Sequence, residues 1–333
     1  MRHFTIVGLL VLLLTVLTYM GLNNIGLMPV QASAQAIPID WMWNWQLVAI
    51  SFFFSLIMVP MVYSLAVFRK KAGDNTDAEH IEGHTNLEVA WTVFPLIIVV
   101  AFAYMGAFSL GETRKVDPNA MIINVTARQF SWSFEYPEYG VVSDKLHLPY
   151  NRQVLLKMKS EDVIHSFWVP EFRVKQDIVP GRVTEYRITP YLVGEYKVRC
   201  AELCGANHSY MEALVIVDEV ATFDAWAAEQ QALAAIQTPE GLGKQLATAN
   251  GCTGCHSITS SPLPSAPTWF GLFGSQVELA DGSVVTADEA FIKESILDPK
   301  AKEVKGYSPT IMPPYELSDE EIANITAFIA SLK

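Results

Sequence analysis

Three long apolar runs lead the chain. Phe4 to Leu22 carries no charge behind the basic start Met1-Arg2-His3. Trp45 to Phe68 is uncharged over about the twenty residues that a bilayer helix needs, and it stops at Arg69-Lys70-Lys71. Val89 to Leu110 is uncharged again. Helices of this length with no polar face fit a membrane better than a globular core. The first run also fits the core of a secretory signal, because Ala32-Ser33-Ala34 offers an A-x-A cleavage pattern beyond it. Residues 1–34 are therefore expected to be a signal peptide or a first transmembrane helix, and 45–110 a transmembrane hairpin. The basic cluster places the hairpin loop in the cytoplasm, and under either reading everything after Leu110 lies outside. Trp41, Trp43 and Trp45 fit an interfacial aromatic belt.

After Leu110 the pattern shortens. Runs such as Met121 to Val125 and Val154 to Met158, punctuated by Pro180-Gly181 and Val193-Gly194, predict an antiparallel sandwich or Greek-key barrel over 111–217. Residues 218–238 are polar and alanine-rich, which predicts a partly helical linker. In 239–333, Pro239 to Asn250 reads as a helix. Ser318-Asp319-Glu320-Glu321 is a capping box that opens a last helix to Leu332, with Ile322, Ile325, Phe328 and Ile329 on one face. The predicted fold class is a multidomain membrane protein: an α-helical hairpin, an all-β domain and an all-α domain.

Composition agrees. Of 333 residues 51% are hydrophobic and 17% charged, which excludes an ordinary soluble cytosolic protein. A net charge of -12 repels phosphate backbones, so nucleic acid is not an expected partner and a basic protein is.

The four cysteines fall into two pairs. Cys200 and Cys204 stand in a loop that continues to His208 and Met211, with His165 upstream. Two thiols, two imidazoles and a thioether suit copper and do not suit magnesium or calcium. One Cys, two His and a Met would serve a single copper, whereas the second Cys allows two thiolates to bridge two ions. A Cys200–Cys204 disulfide or a structural zinc stands as the plainer alternative, although neither uses His165, His208 and Met211 together. The other pair, Cys252-Thr253-Gly254-Cys255-His256, is the C-x-x-C-H attachment of a c-type haem, with thioethers at both cysteines and His256 as axial ligand. Taken without His256 it would equally be a redox disulfide or half a zinc site. The second axial ligand expected is Met312, the only methionine after Met211, with a core methionine as the alternative.

The segments Ser160 to Pro170, Lys175 to Arg182 and Cys200 to Met211 resemble subunit II of haem-copper cytochrome c oxidase, over roughly residues 45 to 217. That resemblance implies a cupredoxin domain with a dinuclear copper A centre, bridged by Cys200 and Cys204. The terminal ligands it implies are His165, His208 and Met211, with the Glu202 carbonyl as a further one. It also implies a magnesium ion, shared with subunit I, facing the Glu202 carboxylate. Glu88-Val89-Ala90-Trp91-Thr92-Val93-Phe94-Pro95 matches the family as well, and there the acid marks the cytoplasmic mouth of a proton path. The plain reading of Glu88 is a helix-start residue favoured by the dipole. One departure stands out. After Ala-x-Gln the family carries a tryptophan through which cytochrome c delivers its electron, and this chain reads Ala127-Arg128-Gln129-Phe130-Ser131-Trp132. The region of Phe130 and Trp132 is thus expected to receive electrons across an altered docking surface.

Residues 239–333 resemble a class I cytochrome c, with Ala266 to Leu272 as the proximal loop that helps hold the axial histidine. They carry twelve acids against six lysines, which favours a basic donor. Together the resemblances imply subunit II of a proton-pumping oxidase in a bacterial plasma membrane, with the copper A and covalent haem c domains on the outer side. The implied partners are subunits I and III and a soluble or membrane-bound donor. The implied activity is that of an oxidoreductase whose oxygen site lies in another subunit. The rivals are the copper A subunit of a nitric oxide reductase and a free-standing membrane-anchored shuttle. The Glu88 to Pro95 motif counts against a mere anchor, and the copper ligands exclude a quinol oxidase.

Overall fold

The computed structural model describes residues 1–333 other than 71, 72, 74, 75, 78, 79, 236, 237, 265 and 308–311. Lys71 of the basic cluster, Ile236 and Gln237 of the expected linker, and Thr310 and Ile311 before Met312 lie outside the described residues. The chain forms two bodies, residues 1–30 with 36–115, and residues 31–35 with 116–333.

The first body consists of α1 (Arg2–Asn24), α2 (Ala36–Val67) and α3 (Thr85–Thr113), all long and apolar enough to cross a membrane. Their Leu, Ile, Val and Phe side chains are largely exposed, while Ser51, Ser55 and Ser109 are buried. This inverts the arrangement of a soluble bundle and suits helices that meet through small residues in lipid. α1 runs antiparallel to α2, with His3 Nδ1 2.7 Å from the Tyr63 hydroxyl. At the start of α3 the His84 imidazole accepts from the Leu87 N–H at 3.3 Å, and the Glu88 carboxylate accepts from the His84 N–H at 3.0 Å. Two otherwise orphaned donors are satisfied in this reciprocal cap.

In the second body the β domain has two five-stranded sheets. One contains β1 (Met121–Arg128), β2 (Ser131–Tyr136), β3 (Val141–Ser143), β5 (Val154–Ser160) and β8 (Thr184–Ile188), in the order β3-β2-β1-β5-β8. The other contains β4 (Leu146–Pro149), β6 (His165–Val169), β7 (Val174–Ile178), β9 (Gly194–Cys200) and β10 (Glu212–Asp218), in the order β4-β10-β9-β6-β7. Most neighbours are antiparallel, but β1 with β5 and β4 with β10 are parallel, as a Greek-key sandwich with crossovers requires. Alternate residues of β1, namely Met121, Ile123, Val125 and Ala127, face the core.

Two further segments pack into this domain. Ala32 and Ser33 are fully buried in it. The Ala32 N–H donates to the Glu171 carbonyl at 3.0 Å, the Ala34 N–H to the Thr189 carbonyl at 2.9 Å, and the Ser33 hydroxyl to the Phe172 carbonyl at 2.9 Å. The stretch expected as a linker contains α4 (Val220–Ala234), which buries Phe223 and Ala227 in the core of the sandwich. Phe223, Trp226 and Ala227 share one helical face. Trp226 stacks on His147 with ring centres 4.0 Å apart, and His147 Nδ1 lies 2.8 Å from Asp218.

The C-terminal part has α5 (Pro239–Ala249), a small hairpin of β11 (Gln276–Glu278) and β12 (Val284–Thr286), α6 (Glu289–Leu297) and α7 (Asp319–Ser331). The capping box of Ser318 and Glu321 is formed, and Ile322, Ile325, Phe328 and Ile329 are buried as their spacing predicts. α5 and α7 cross at Gly243, where a Cβ would stand 1.9 Å from the Asn324 carbonyl oxygen. Only glycine permits that approach.

Candidate metal centre and haem pocket

Three elements bring the sulfur and imidazole groups together. β6 begins with His165 and β9 ends with Cys200, and the two strands pair at Phe167 and Cys200. The loop from Cys200 to Met211 then folds over and returns as β10, with the Cys200 N–H donating to the Met211 carbonyl at 3.1 Å. Cys200 Sγ lies 3.8 Å from Cys204 Sγ and 3.8 Å from His165 Nδ1. Cys204 Sγ lies 3.5 Å from His208 Nδ1 and 3.8 Å from Met211 Sδ. The Glu202 carbonyl stands 3.2 Å from Cys200 Sγ, while the Glu202 side chain is exposed. Each thiol thus sits between the other thiol and one imidazole. A sulfur separation of 3.8 Å is far beyond the roughly 2.05 Å of a disulfide, so the disulfide alternative is not formed.

Electrostatics favour thiolate here. Hydrogen bonding with Cys204 is the main cause that holds the Cys200 thiol well below its ordinary range, and His165 adds to it against burial. The same bond and burial push Cys204 up, so the first proton leaves Cys200. Burial opposes charge on His165, but Asp162 and Cys200 outweigh it and raise its pKa to about 9. Asp162 Oδ1 lies 2.7 Å from His165 Nε2, fixing the ring so that Nδ1 faces the sulfurs. Sequence reading missed Asp162. Its place three residues before His165 was the available signal.

The second site is an apolar cavity lined by Cys252, Cys255, His256, Trp269 and Met312. His256 Nδ1 donates to the Pro267 carbonyl at 2.8 Å, and its ring stacks on Trp269 with centres 4.9 Å apart. That bond occupies Nδ1 and leaves Nε2 as the ring nitrogen that could ligate a bound group. Burial, the main cause, lowers the His256 pKa despite the Pro267 bond, so the imidazole is neutral as ligation requires. Burial also pushes the Cys252 thiol up to about 12 and raises that of Cys255. Redox-active C-x-x-C pairs have depressed thiol pKa values, so this environment does not fit that alternative.

Phe130 and Trp132, expected where electrons arrive, are both buried. Phe130 lines the haem-type cavity. Trp132 lies behind the sulfur cluster, its indole N–H donating to the Met211 carbonyl at 3.3 Å. Glu88 belongs to the other body and serves as the α3 cap described above.

The chain therefore joins membrane-type helices to a cupredoxin-like domain and a helical cytochrome c domain. Family models match accordingly: the transmembrane domain of cytochrome c oxidase subunit II over residues 18–110, its periplasmic domain over 140–220, and cytochrome c over 241–333. Cytochrome c oxidase subunit 2 of a Synechocystis species is 33% identical over 253 residues, covering 62% of this chain and 76% of that protein. The subunit of Alkalihalophilus pseudofirmus is 32% identical over 279 residues, covering 81% of this chain and 80% of its own. The solved periplasmic domain of the Bradyrhizobium japonicum subunit is 28% identical, with a TM-score of 0.33, covering 36% of this chain and 97% of that one. The chain belongs to the cytochrome c oxidase subunit II family and carries a fused cytochrome c domain. These domains imply copper and haem, and His165, Cys200 and Cys204 fit a copper A site. It is a component of an oxidoreductase complex, a membrane protein whose copper-type domain lies on the outer side.

Proposed function

We propose that this chain is the electron-accepting subunit of a proton-pumping cytochrome c oxidase. It takes electrons from an outside donor on covalently bound haem c and relays them by way of dinuclear copper toward the oxygen-reducing site of subunit I. The observation that carries this reading is the inward-facing shell of two thiols, two imidazoles and a thioether, each within 3.8 Å of a sulfur. Cys200 and Cys204 would bridge two coppers, His165, His208, Met211 and the Glu202 carbonyl would complete the shell, and Cys252, Cys255, His256 and Met312 would hold the haem. When bound, these groups supply one-electron redox chemistry. The polypeptide fixes these side chains before any group binds: Asp162 orients His165, the Pro267 carbonyl orients His256, and the paired ends of β6 and β9 hold Cys200 beside His165. The exposed Glu202 carboxylate is suited to a hard magnesium ion shared with subunit I. An intact complex should contain two coppers and one covalent haem for each copy of this chain. Elemental analysis that finds zinc, or one copper at full loading, would overturn the dinuclear reading.

Met312→Ala should leave the haem attached, since the thioethers at Cys252 and Cys255 do not depend on it, but should lower the reduction potential and open a coordination site. Carbon monoxide binding to the reduced variant checks this; an unchanged spectrum would make Met312 a core residue.

The same reading gives Glu88 the mouth of a proton path. Glu88→Gln keeps an oxygen acceptor for the His84 N–H, so α3 should persist while oxygen consumption slows and the copper spectrum stays as it was. Unchanged turnover would leave Glu88 a cap alone.

The first helix is kept in this reading. Cleavage after Ala34 would withdraw Ala32 and Ser33 from the β-domain core together with their bonds to Glu171 and Phe172. N-terminal sequencing of the purified subunit should therefore read a residue before Gln31, and a start at Gln35 would refute it.

A further inference from the structure

We propose that the turn Arg128 to Ser131, between β1 and β2, is a built-in dock for the chain's own haem-binding domain, with Arg128 as its latch. The proposal rests on the functional reading above and adds which surface the haem domain occupies and which residues hold it there.

Arg128 reaches two segments of the haem domain at once. Its guanidinium donates to the Asn250 carbonyl at 3.0 Å, directly before the Cys252 motif. It also lies over the Tyr315 ring, 5.5 Å from the centre, just after Met312. The Tyr315 hydroxyl donates to the same Asn250 carbonyl at 3.2 Å, so the three groups form one cluster. On its own side Arg128 is ion-paired with Glu161, which pre-orients it. Its side chain is only 19% exposed, and charge-assisted bonds in such partly buried settings are the strong kind.

The glycines of the haem motif give independent support. A Cβ on Gly254 would stand 2.8 Å from Ser131 Cβ, and one on Gly251 would stand 2.0 Å from Ser131 Oγ. Gly251 has a left-handed φ of 72° that favours glycine in any case. Gly254 has no positive φ, so its missing side chain is explained by the closeness of Ser131. Between these contacts Phe130 is buried against the haem-type cavity, and its backbone is hydrogen-bonded to the Cys255 sulfur. Gln129 points the other way, its amide donating to the Cys204 carbonyl. Consecutive residues of one turn thus touch the haem motif and the copper-ligand loop.

The test uses the whole detergent-solubilised complex, with hydrogen–deuterium exchange read over Gly251 to His256 and over Gln129 to Ser133. Arg128→Ala and Gly254→Ala should each raise exchange in both segments by about tenfold, equivalent to about 1.4 kcal/mol. Adding Ser131→Gly to Gly254→Ala removes the clash and should return exchange to the wild-type rate. Wild-type exchange in both single variants, or no recovery in the double variant, would overturn the dock. Copper and haem content is measured in every sample. If the wild type lacks either group the functional reading fails, whereas normal content with unaltered exchange in the single variants sinks only the dock.

Discussion

Cys200→Ser is expected to abolish copper binding while the haem-domain absorption spectrum survives. Cys200 is the residue on which the cluster converges: the Cys204 sulfur, His165 Nδ1 and the Glu202 carbonyl all lie within 3.8 Å of its Sγ. A hydroxyl is a harder ligand with a much higher pKa, so it neither bridges copper ions well nor helps Cys204 and His165 to share charge. Copper content near zero is the expected outcome, measured by elemental analysis beside the haem spectrum. The haem domain has its own core around Ile325, Phe328 and Phe291, so it should fold regardless. Retention of two coppers would show that Cys200 is not a bridge. Loss of the haem spectrum together with the copper would show that the two domains depend on each other for folding.

The second large effect is expected from ending the chain after Ala235, just beyond α4. α4 buries Phe223 and Ala227 in the β domain and has to stay for that domain to keep its core. Without the haem domain the complex should load copper and oxidise small-molecule donors, but react poorly with its natural protein donor. Two features support this. Phe130 stands where the resembling family has tryptophan, and residues 239–333, with twelve acids against six lysines, carry the negative field that steers a basic donor. The difference between full-length and shortened chains should shrink at high salt, because steering is screened over about 10 Å at 0.1 M ionic strength. Oxygen uptake with the natural donor at the full rate in the shortened complex would show that the copper domain receives electrons on its own surface.

Much of this was legible in the sequence because the signals are local. The cysteine spacings, the length of the apolar runs and the Ser318 capping box are each contained within a short window of chain. Residues whose roles depend on distant partners were harder to read. The packing of Ala32-Ser33-Ala34 in the β domain has no local signal because its partners, Glu171, Phe172 and Thr189, are more than a hundred residues away. The alanine-rich stretch reads as partly helical, but which face of α4 packs is not readable until the surface presented by Tyr136 and His147 is known. Arg128 reads as an ordinary strand-end cation, and only the fold shows Asn250 and Tyr315 beside it.

The seam formed by residues 31–35 bears on the order of assembly. The β domain closes around a segment synthesised long before its own strands, at a sequence separation of 139 residues for Ser33 and Phe172. In a free chain so long a loop slows folding, because closure entropy is lost before any contact compensates for it. α2 and α3 occupy part of that interval, and a helical hairpin brings its own two ends together, which shortens the effective loop that closure has to span.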